Sequence, residues 1–321
     1  MRLLIDADPI VYRAGFAAEK LCRALVYGKV GEDQLHEKIF SPTEDKTALV
    51  QLKEFLEDES IEEVDRYELV VPEPLDHALA TVRHMIRDCI FQAAEQFDLK
   101  PEDITYRVLL SGPGNFRDKV ATVKPYKGNR KADHKPHHYS AIRNYLQEAW
   151  DADVIEGREA DDACAIEQYQ APGKTCICTF DKDLDMVPGW HYDYAKLTFY
   201  YTEEDEGKAL FYKQVLSGDP TDNIPGAHRC GKVKAEKIVD EYLLENSGNW
   251  KGLWQVIVDY YEHTAEQYKD ACPYWKLYQE EGAEAVALEM ARLVKMQEYE
   301  EQLWTPPGQP DALLITEMEN D

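Results

Sequence analysis

Residues 3–6, Leu-Leu-Ile-Asp, form an apolar run that is closed by an acid. This pattern is typical of a buried parallel strand. Residues 106–111 and 175–180 have the same strand character, and the amphipathic stretch 78–97 predicts a long helix between the first two strands. Strands that alternate with helices predict an α/β domain with a parallel sheet.

The rest of the chain extends this pattern. Helices are expected at 139–150 and 160–169, a strand at 190–194, and a hairpin of residues 197–202 with 209–212 around an acidic turn. From residue 214 onward the pattern is helical. We therefore expect an α/β domain over residues 1–213 and a helical region over residues 214–321. Residues 16–75 are polar and acidic with weak periodicity, and we interpret them as an insertion in the first domain.

Length and composition exclude several classes of protein. The chain has 321 residues, of which 44% are hydrophobic and 11% aromatic, so disorder is not expected. It contains no run of about 18 apolar residues, which excludes a membrane span. Met1 is followed by a strand pattern and not by a signal peptide. The seven cysteines include no C-x-x-C pair, so neither a disulfide framework nor a zinc site is indicated. We expect a protein of a reducing cytoplasm.

The charge is acidic overall but unevenly distributed. Asp and Glu number 62 against 36 Lys and Arg, a net charge of −26, and a uniform field of that sign would repel phosphate. Residues 117–135, however, hold seven Lys and Arg against two acids. We interpret residues 112–138 as a basic segment that can hold a polyanion locally.

Acids gather where the expected strands and helices begin or end. They form four groups: Asp6 with Asp8; Glu159 with Asp161 and Asp162; Asp181 with Asp183 and Asp185; and Asp219 with Asp222. Ligands of open α/β sheets bind beyond the carboxyl ends of the strands, so the first three groups are expected to converge. Any single acid could be a helix cap or a surface charge. As a set they fit Mg²⁺, and two such ions about 3.5–4 Å apart can hydrolyse a phosphodiester.

Two further stretches have a composition that is suited to phosphate binding. Residues 126–131, Tyr-Lys-Gly-Asn-Arg-Lys, combine an aromatic with three cations, a composition that suits base stacking and phosphate neutralisation, although a solvated loop has the same composition. The turn 223–226, the Gly231-Lys232 pair and the helix expected at 233–242 place glycines before a helix N-terminus, where backbone N–H groups can approach phosphate. An ordinary helix–turn–helix linker is the alternative.

Taken in order, five motifs resemble the 5′→3′ exonuclease/flap endonuclease family, and most closely its bacteriophage members. The motifs are Ile5-Asp6, Tyr-Lys-Gly-Asn-Arg at 126–130, Glu-Ala-Asp-Asp at 159–162, Thr-Phe-Asp-Lys-Asp at 179–183, and Gly-Asp-Pro-Thr-Asp-Asn-Ile-Pro-Gly at 218–226. The resemblance covers roughly residues 1–15 and 105–245. It implies a PIN-like nuclease domain, a helix-three-turn-helix DNA-binding element at about 217–243, and, for a phage protein, the host cytoplasm.

The resemblance also implies roles for the acids and a reaction. It places Asp6, Glu159, Asp161 and Asp162 on the first of two Mg²⁺ ions, Asp181 and Asp183 between the ions, and Asp219 and Asp222 on the second. Mn²⁺ would substitute for Mg²⁺. The expected reaction is hydrolysis at 5′ ends or flaps of duplex DNA, with RNA of RNA–DNA hybrids as a further substrate, leaving a 5′-phosphate and a 3′-hydroxyl.

The remaining implied roles concern DNA. Lys127 and Arg130 match the cations that contact the scissile phosphate, and Tyr126 matches an aromatic near the terminal nucleotide. The other residues expected to contact DNA are Lys131, Gly226, Gly231, Lys232 and Lys234. A K⁺ ion at the hairpin follows by analogy. The sequence identifies no protein partner and no membrane partner.

Two departures from the family pattern and two alternatives stay open. Ser111-Gly112 stands where the family commonly has an Asp, and Asp8 is the candidate substitute. Arg229 stands where the hairpin often has a glycine. A haloacid-dehalogenase-type phosphatase would use Asp6 as a covalent nucleophile in Asp6-Ala-Asp8. A non-catalytic DNA-binding protein that retains the fold is the other alternative.

Overall fold

The computed structural model describes residues 1–130 and 135–309. The strands are β1 (Arg2–Asp6), β2 (Glu19–Lys29), β3 (His36–Phe40), β4 (Ile61–Pro72), β5 (Thr105–Ser111), β6 (Asp153–Ile155), β7 (Thr175–Cys178), β8 (Gly189–Asp193) and β9 (Thr198–Thr202). The α-helices are α1 (Asp8–Ala17), α2 (Ala48–Phe55), α3 (Leu75–Gln96), α4 (Arg117–Val120), α5 (Tyr139–Trp150), α6 (Ala160–Gln170), α7 (Glu204–Ser217), α8 (Lys232–Glu245), α9 (Trp250–Tyr268), α10 (Trp275–Glu281) and α11 (Ala283–Val294).

These elements form two compact units. The first contains residues 1–9, 86–130 and 150–309, and the second contains residues 10–85 and 135–149. The main sheet and the C-terminal helices belong to the first unit, and the domain boundary expected near residue 214 stays a prediction.

The first unit is built on a six-stranded sheet in the order β6-β5-β1-β7-β8-β9. All pairs are parallel except β8 with β9, which is antiparallel. The predicted parallel sheet is therefore confirmed. Residues 3–5 on β1 are fully buried, as their unbroken apolar run requires for a strand covered on both faces. The strands that end in Asp6, Ser111 and Cys178 run parallel, so their carboxyl ends lie along one edge.

The hairpin expected over residues 197–212 is wrong in its second half. β9 pairs with β8, whereas residues 209–212 lie inside helix α7. The acidic stretch that suggested a turn starts this helix, because Glu203 and Glu206 form a reciprocal capping box at its N-terminus. Phe211, Tyr212, Val215 and Leu216 then repeat at helical spacing, and all four are buried.

The C-terminal helices share one apolar core. Buried side chains from α7, α9 and α11 meet there, among them Val215, Ile257 and Met290. The Tyr261 hydroxyl donates to the backbone carbonyl of Val215 at 2.6 Å, which ties α9 to the end of α7. α7 ends at Ser217 and α8 begins at Lys232, and the helix-three-turn-helix assignment of this stretch stays a prediction.

The second unit contains the stretch interpreted as an insertion. It forms an antiparallel sheet in the order β3-β2-β4, and Ala48 and Leu52 of α2 pack against Leu25, Tyr27 and Phe40 of the sheet. The sequence did not indicate these strands because β4 is exposed along almost its whole length, so it carries no alternation of apolar and polar residues.

All seven cysteines are free and buried. Among the helices that the structure describes, none combines the length and the apolar character that crossing a membrane requires.

Candidate functional site: an acid cleft at the edge of the parallel sheet

Asp6 ends the central strand β1 and is only 1% exposed. One of its carboxylate oxygens accepts the Thr179 hydroxyl at 2.9 Å, and the other accepts the Asp8 amide at 3.3 Å. Burial raises the pKa of Asp6 well above its usual value, and the neighbouring Asp8 and Asp181 raise it further. A buried acid among acids is a costly arrangement that a cation would relieve.

Asp8 lies beside the end of β5, where this chain has Ser111 in place of the Asp that is common in the family pattern. Its carboxylate accepts the backbone N–H of Ser111 at 2.9 Å, so it faces the end of β5. The Ser111 hydroxyl in turn accepts the amide of Ala160 at 2.9 Å, which joins β5 to the first turn of α6. Asp8 thus lies where the expected substitution would place it, and its role as a metal ligand stays a prediction.

The start of α6 contributes Glu159 and Asp161. Burial would raise the pKa of Glu159, but the charges of Lys127 and Arg117 outweigh burial and lower it. The pKa of Asp161 is raised well above its usual value by burial and then by the charges of Asp6 and Glu159. The pKa values of these two acids therefore shift in opposite directions, and the direct ion pair of Glu159 with Lys127 accounts for the difference.

Asp162 is held by a cation of the protein. Its carboxylate forms a buried two-pronged ion pair with Arg117, at 2.5 and 2.9 Å, and it also accepts the amide of Gln297 at 3.2 Å. Asp162 is fully buried and does not line the cleft that holds the other acids. In this structure the Arg117 guanidinium satisfies both oxygens of Asp162, and the expected metal-ligand role of Asp162 stays a prediction.

Asp181 and Asp183 follow β7. Asp181 caps the short 3₁₀ helix Lys182–Met186 by accepting the amide of Asp183 at 3.0 Å, and Gln214 donates to Asp183 at 2.5 Å. Burial, and then the charges of Asp181 and Asp219, raise the pKa of Asp183 to about 7. The pKa of Asp181 is also raised, by burial first and by Asp222 and Asp219 in addition.

Asp219 and Asp222 lie in the tight loop after α7. The backbones of Asp219 and Ile224 exchange hydrogen bonds of 2.9 and 2.8 Å, which closes the loop. Gly218 and Gly226 meet at its base with φ angles of +65° and +61°. A Cβ on Gly226 would lie 2.3 Å from the Gly218 nitrogen, so glycine is required there for close backbone contact.

Residues 126–130 pack against this loop and carry its cations. The Lys127 ammonium forms an ion pair with Glu159 and lies 3.6 Å from the Asp222 carboxylate, while Arg130 contacts Asp222 at 2.5 Å. The side-chain amide of Asn129 donates to the carbonyl of Pro220 at 2.7 Å. The two predicted catalytic cations are thus brought directly to the acids.

Tyr126 is buried beside two of the acids. It is 9% exposed and packs in the main apolar core, and its hydroxyl oxygen lies 2.8 Å from a Glu159 carboxylate oxygen and 2.7 Å from one of Asp222, so its single proton is shared between the two acids. The ring is buried, and the expected place of Tyr126 near the terminal nucleotide of DNA stays a prediction. Tyr126 bridges two acids.

A cleft of about 630 Å³ joins these groups, and we call it the acid cleft. Its charged lining comes from four chain segments and comprises Glu159, Asp161, Asp181, Asp183, Asp185, Asp219, Asp222 and Glu236 with Arg117, Lys127, Arg130, Lys182, Lys213 and Lys232. The predicted convergence of separate acid groups is thereby observed, and the buried Asp6 lies close enough to Asp161 and Asp181 for their charges to act on one another.

The predicted DNA-contacting residues near α8 lie at the surface. Gly231 is the N-cap of α8 and faces open space, and Lys232 and Lys234 are exposed in its first turn. The Lys234 ammonium lies 5.0 Å from the centre of the Tyr260 ring. Arg229 has a φ of +57°, a left-handed conformation that favours glycine, which is the residue the family often has there. Lys131 lies outside the described residues.

The donor set of the acid cleft suits a hard divalent cation. Its side chains offer carboxylate oxygens, and the pKa values of Asp6, Asp161 and Asp183 are raised in part by mutual repulsion. Within residues 1–130 and 135–309, no group of three or more His, Cys, Asp and Glu side chains is already arranged as a metal-binding set. Instead, Lys127, Arg130 and Tyr126 hold Glu159 and Asp222.

Sequence reasoning missed several residues that build the cleft. Arg117 was counted as part of the basic segment, but it is 1% exposed and pairs with Asp162. Gln214 holds Asp183 from α7, and Thr179 holds Asp6. Thr179 lies inside a quoted motif and could have been noticed there, whereas the partners of Arg117 and Gln214 are distant in sequence and carry no local signal.

The comparison with known proteins found similarity to solved structures. No family model and no curated protein matches the chain. Among solved structures, it is similar to the T5 D15 protein co-crystallised with metal ions, with 18% identity over 65% of this chain and 85% of that chain, at a TM-score of 0.41. It is also similar to a complex of the bacteriophage T5 flap endonuclease with DNA and metal ions, with 17% identity, coverage of 65% and 83%, and a TM-score of 0.39.

A third similar structure is the T5 5′-exonuclease with bound zinc ions. The identity is 18%, the match covers 65% of this chain and 90% of that chain, and the TM-score is 0.40. The second and third of these solved structures are of a flap endonuclease and a 5′-exonuclease.

Proposed function

We propose that this protein is a divalent-metal-dependent nuclease that hydrolyses phosphodiester bonds of DNA at 5′ ends or flaps. The observation that carries the proposal is the acid cleft, where acids from separate chain segments converge at the carboxyl edge of a parallel sheet with Lys127 and Arg130 directly beside them. Acids alone would repel a phosphodiester. Acids with a bound cation and two adjacent side-chain cations would bind one.

The side chains that would hold the metal are Asp6, Glu159, Asp161, Asp181, Asp183, Asp219 and Asp222. Mg²⁺, or Mn²⁺ in its place, would supply Lewis acidity and a water of lowered pKa. Asp162 is left out of this set because Arg117 holds it. We assign Asp162 instead to positioning the first turn of α6, which carries Glu159 and Asp161.

Lys127 and Arg130 would stabilise the charge on the phosphoryl group as it is attacked. Burial would lower the pKa of Lys127, but the charges of Glu159 and Asp222 outweigh burial and raise it, so the ammonium is charged at neutral pH. Both cations are held by acids, and substrate phosphate would compete with those acids for them. The hydrolysis is proposed to leave a 5′-phosphate and a 3′-hydroxyl.

Duplex DNA is proposed to contact the loop before α8 and the first turn of that helix. Lys232 and Lys234 are exposed there, and backbone N–H groups at a helix N-terminus favour phosphate. Lys131 is kept in the proposed DNA-binding set, and a K⁺ ion in the same loop stays a prediction. Gly226 has a structural role in the loop and contributes to DNA binding through the shape of that loop.

The phosphatase alternative requires an accessible Asp6 nucleophile. Asp6 is 1% exposed, and both of its oxygens accept hydrogen bonds from the protein. This environment disfavours an attack on a substrate phosphate and suits an acid that binds a cation from beneath the cleft.

The proposal is tested with the Asp181→Asn variant. Asparagine keeps the size and the hydrogen bond to the Asp183 amide but removes a charge from the cleft. We expect Mg²⁺-dependent DNA cleavage by the wild type, loss of cleavage in the variant, and unchanged DNA affinity by fluorescence anisotropy. Full activity in the variant would remove the metal assignment. DNA binding without cleavage by the wild type would favour the non-catalytic alternative, and an aspartyl-phosphate on Asp6 would favour the phosphatase.

A further inference from the structure

The segment that carries the proposed catalytic cations is anchored by the C-terminal helix α11. Glu289 on this helix is 6% exposed, and one of its carboxylate oxygens accepts the backbone amides of both Thr122 and Val123, each at 2.9 Å. The other oxygen accepts the Thr122 hydroxyl. All three donors therefore come from a single dipeptide, and Glu289 fixes the position of that dipeptide.

Only Lys124 and Pro125 separate this dipeptide from Tyr126. Proline has a fixed φ, so the chain between the anchored amides and the cleft has little freedom. The carbonyl of Pro125 also accepts the amide of Gly128 at 3.1 Å and the side-chain amide of Asn223 at 2.8 Å. A displacement at residues 122–123 would consequently be carried to Lys127.

Arg117 anchors the other end of the same segment. Its guanidinium donates to the backbone carbonyls of Leu293 at 2.8 Å and Lys295 at 3.0 Å, and it pairs with Asp162. Three parts of the fold therefore meet at one buried side chain: the end of α11, the short helix α4, and the first turn of α6, which carries two acids of the cleft. Leu293 itself lines the acid cleft.

These buried polar contacts cost desolvation free energy, so their contribution to stability alone does not account for them. A buried carboxylate and a buried guanidinium each lose hydration, and well-packed apolar side chains of similar volume often serve stability as well or better. What such polar contacts add is a unique arrangement of the groups they join. Here the joined groups are the segment that carries Lys127 and Arg130 and the helix α6, which begins beside Glu159.

We infer that Glu289 and Arg117 are positioning residues, through which the C-terminal helix α11 sets the placement of Lys127 and Arg130 over the acids. This inference rests on the proposed nuclease function. It extends the functional machinery to residues 289–297, which lie outside the stretch of chain that carries the five motifs.

The test compares three variants of the full chain. Glu289→Ala removes the anchor. Glu289→Gln keeps a carbonyl oxygen that can accept both amides, so it is the conservative rescue. Met290→Ala is the matched control, because Met290 is a fully buried neighbour on α11 with no part in the anchor. Each variant is measured for the melting temperature, amide hydrogen exchange in residues 117–125, DNA affinity, and the single-turnover rate of cleavage at saturating DNA.

For Glu289→Ala we expect faster exchange at Thr122 and Val123 and a cleavage rate lower by roughly 10- to 100-fold, the scale of a misplacement of about 1 Å. DNA affinity should be unchanged, and Glu289→Gln should restore both readouts. Met290→Ala should lower the melting temperature without either effect when it is assayed well below that temperature.

Unchanged exchange in Glu289→Ala would overturn the anchor. Faster exchange with an unchanged cleavage rate would contradict the positioning role. The same holds if Met290→Ala loses as much cleavage rate as Glu289→Ala at the same loss of melting temperature. Failure of the wild type to cleave any DNA with Mg²⁺ would instead overturn the proposed function and, with it, the catalytic part of this inference. In that case hydrogen exchange would still test whether Glu289 anchors Thr122 and Val123.

Discussion

Asp183→Asn should stabilise the metal-free protein at alkaline pH. Asp183 has a pKa of about 7, raised from its usual 3.8 by burial and by the charges of Asp181 and Asp219. Between these two pH values the folded state keeps a proton that the unfolded state has lost. The contribution of this group to stability therefore falls as pH rises from about 4 to about 7.

The size of the effect follows from that pKa difference. At about 1.4 kcal/mol per pKa unit, the ionised Asp183 costs the folded state at most about 4 kcal/mol above pH 7. Unfolding entropy of about 2.1 cal/mol/K per residue gives about 0.7 kcal/mol per degree for this chain, so the variant should melt up to about 6 °C higher. Asparagine still accepts the hydrogen bond from Gln214, so the substitution leaves this contact in place.

The assay is thermal unfolding in EDTA at pH 5 and pH 8, with exposed Asp33→Asn as the control. The gain of the variant over the wild type should be less than half as large at pH 5 as at pH 8, because part of the penalty on Asp183 is already present at pH 5, and the control should shift at neither pH. Mg²⁺ should then narrow the difference: at 100 times its dissociation constant it would stabilise the wild type by about 2.7 kcal/mol and the variant less. A variant that melts below the wild type in EDTA at pH 8 would refute this reasoning.

Three further substitutions have defined outcomes. Lys127→Ala should lower the single-turnover cleavage rate by roughly 100-fold while DNA affinity falls far less, and an unchanged rate would return this lysine to a surface-charge role. Arg117→Ala should cost about 3–5 kcal/mol in urea unfolding because it leaves Asp162 buried and unpaired; a loss below about 1 kcal/mol would contradict the buried pair. Gly226→Ala should destabilise the loop that carries two cleft acids and lower Mg²⁺ affinity by calorimetry, whereas Gly231→Ala, which meets open space, should change neither.

The sequence predicted the parallel sheet because its central strands are continuous apolar runs with breakers after them. The sequence-based prediction failed where a local pattern is compatible with two different structures. The acidic stretch before residues 209–212 was interpreted as a turn, but Glu203 and Glu206 cap a helix. Strand β4 carries no alternation, since nearly all of it is exposed, and only its pairing with β2 reveals it.

The acid groups of the site were visible in the sequence because parallel strands bring their carboxyl ends to one edge. Which acids face the cleft was not visible. Asp161 and Asp162 are adjacent and chemically identical, and the difference between them is Arg117, whose place is fixed by the carbonyls of Leu293 and Lys295. Likewise, the burial of Tyr126 depends on the core around it. Long-range packing of this kind leaves no mark in local spacing.

The most direct test of the central claim is the product of the reaction itself. A duplex with a 5′ flap, labelled at the 5′ end in one sample and at the 3′ end in another, is incubated with the protein and either Mg²⁺ or EDTA. We predict short 5′-labelled products only with Mg²⁺, with a 3′-hydroxyl on the released piece and a ligatable 5′-phosphate on the remainder. Intact DNA in both conditions, or products that begin from the 3′ end, would contradict the account.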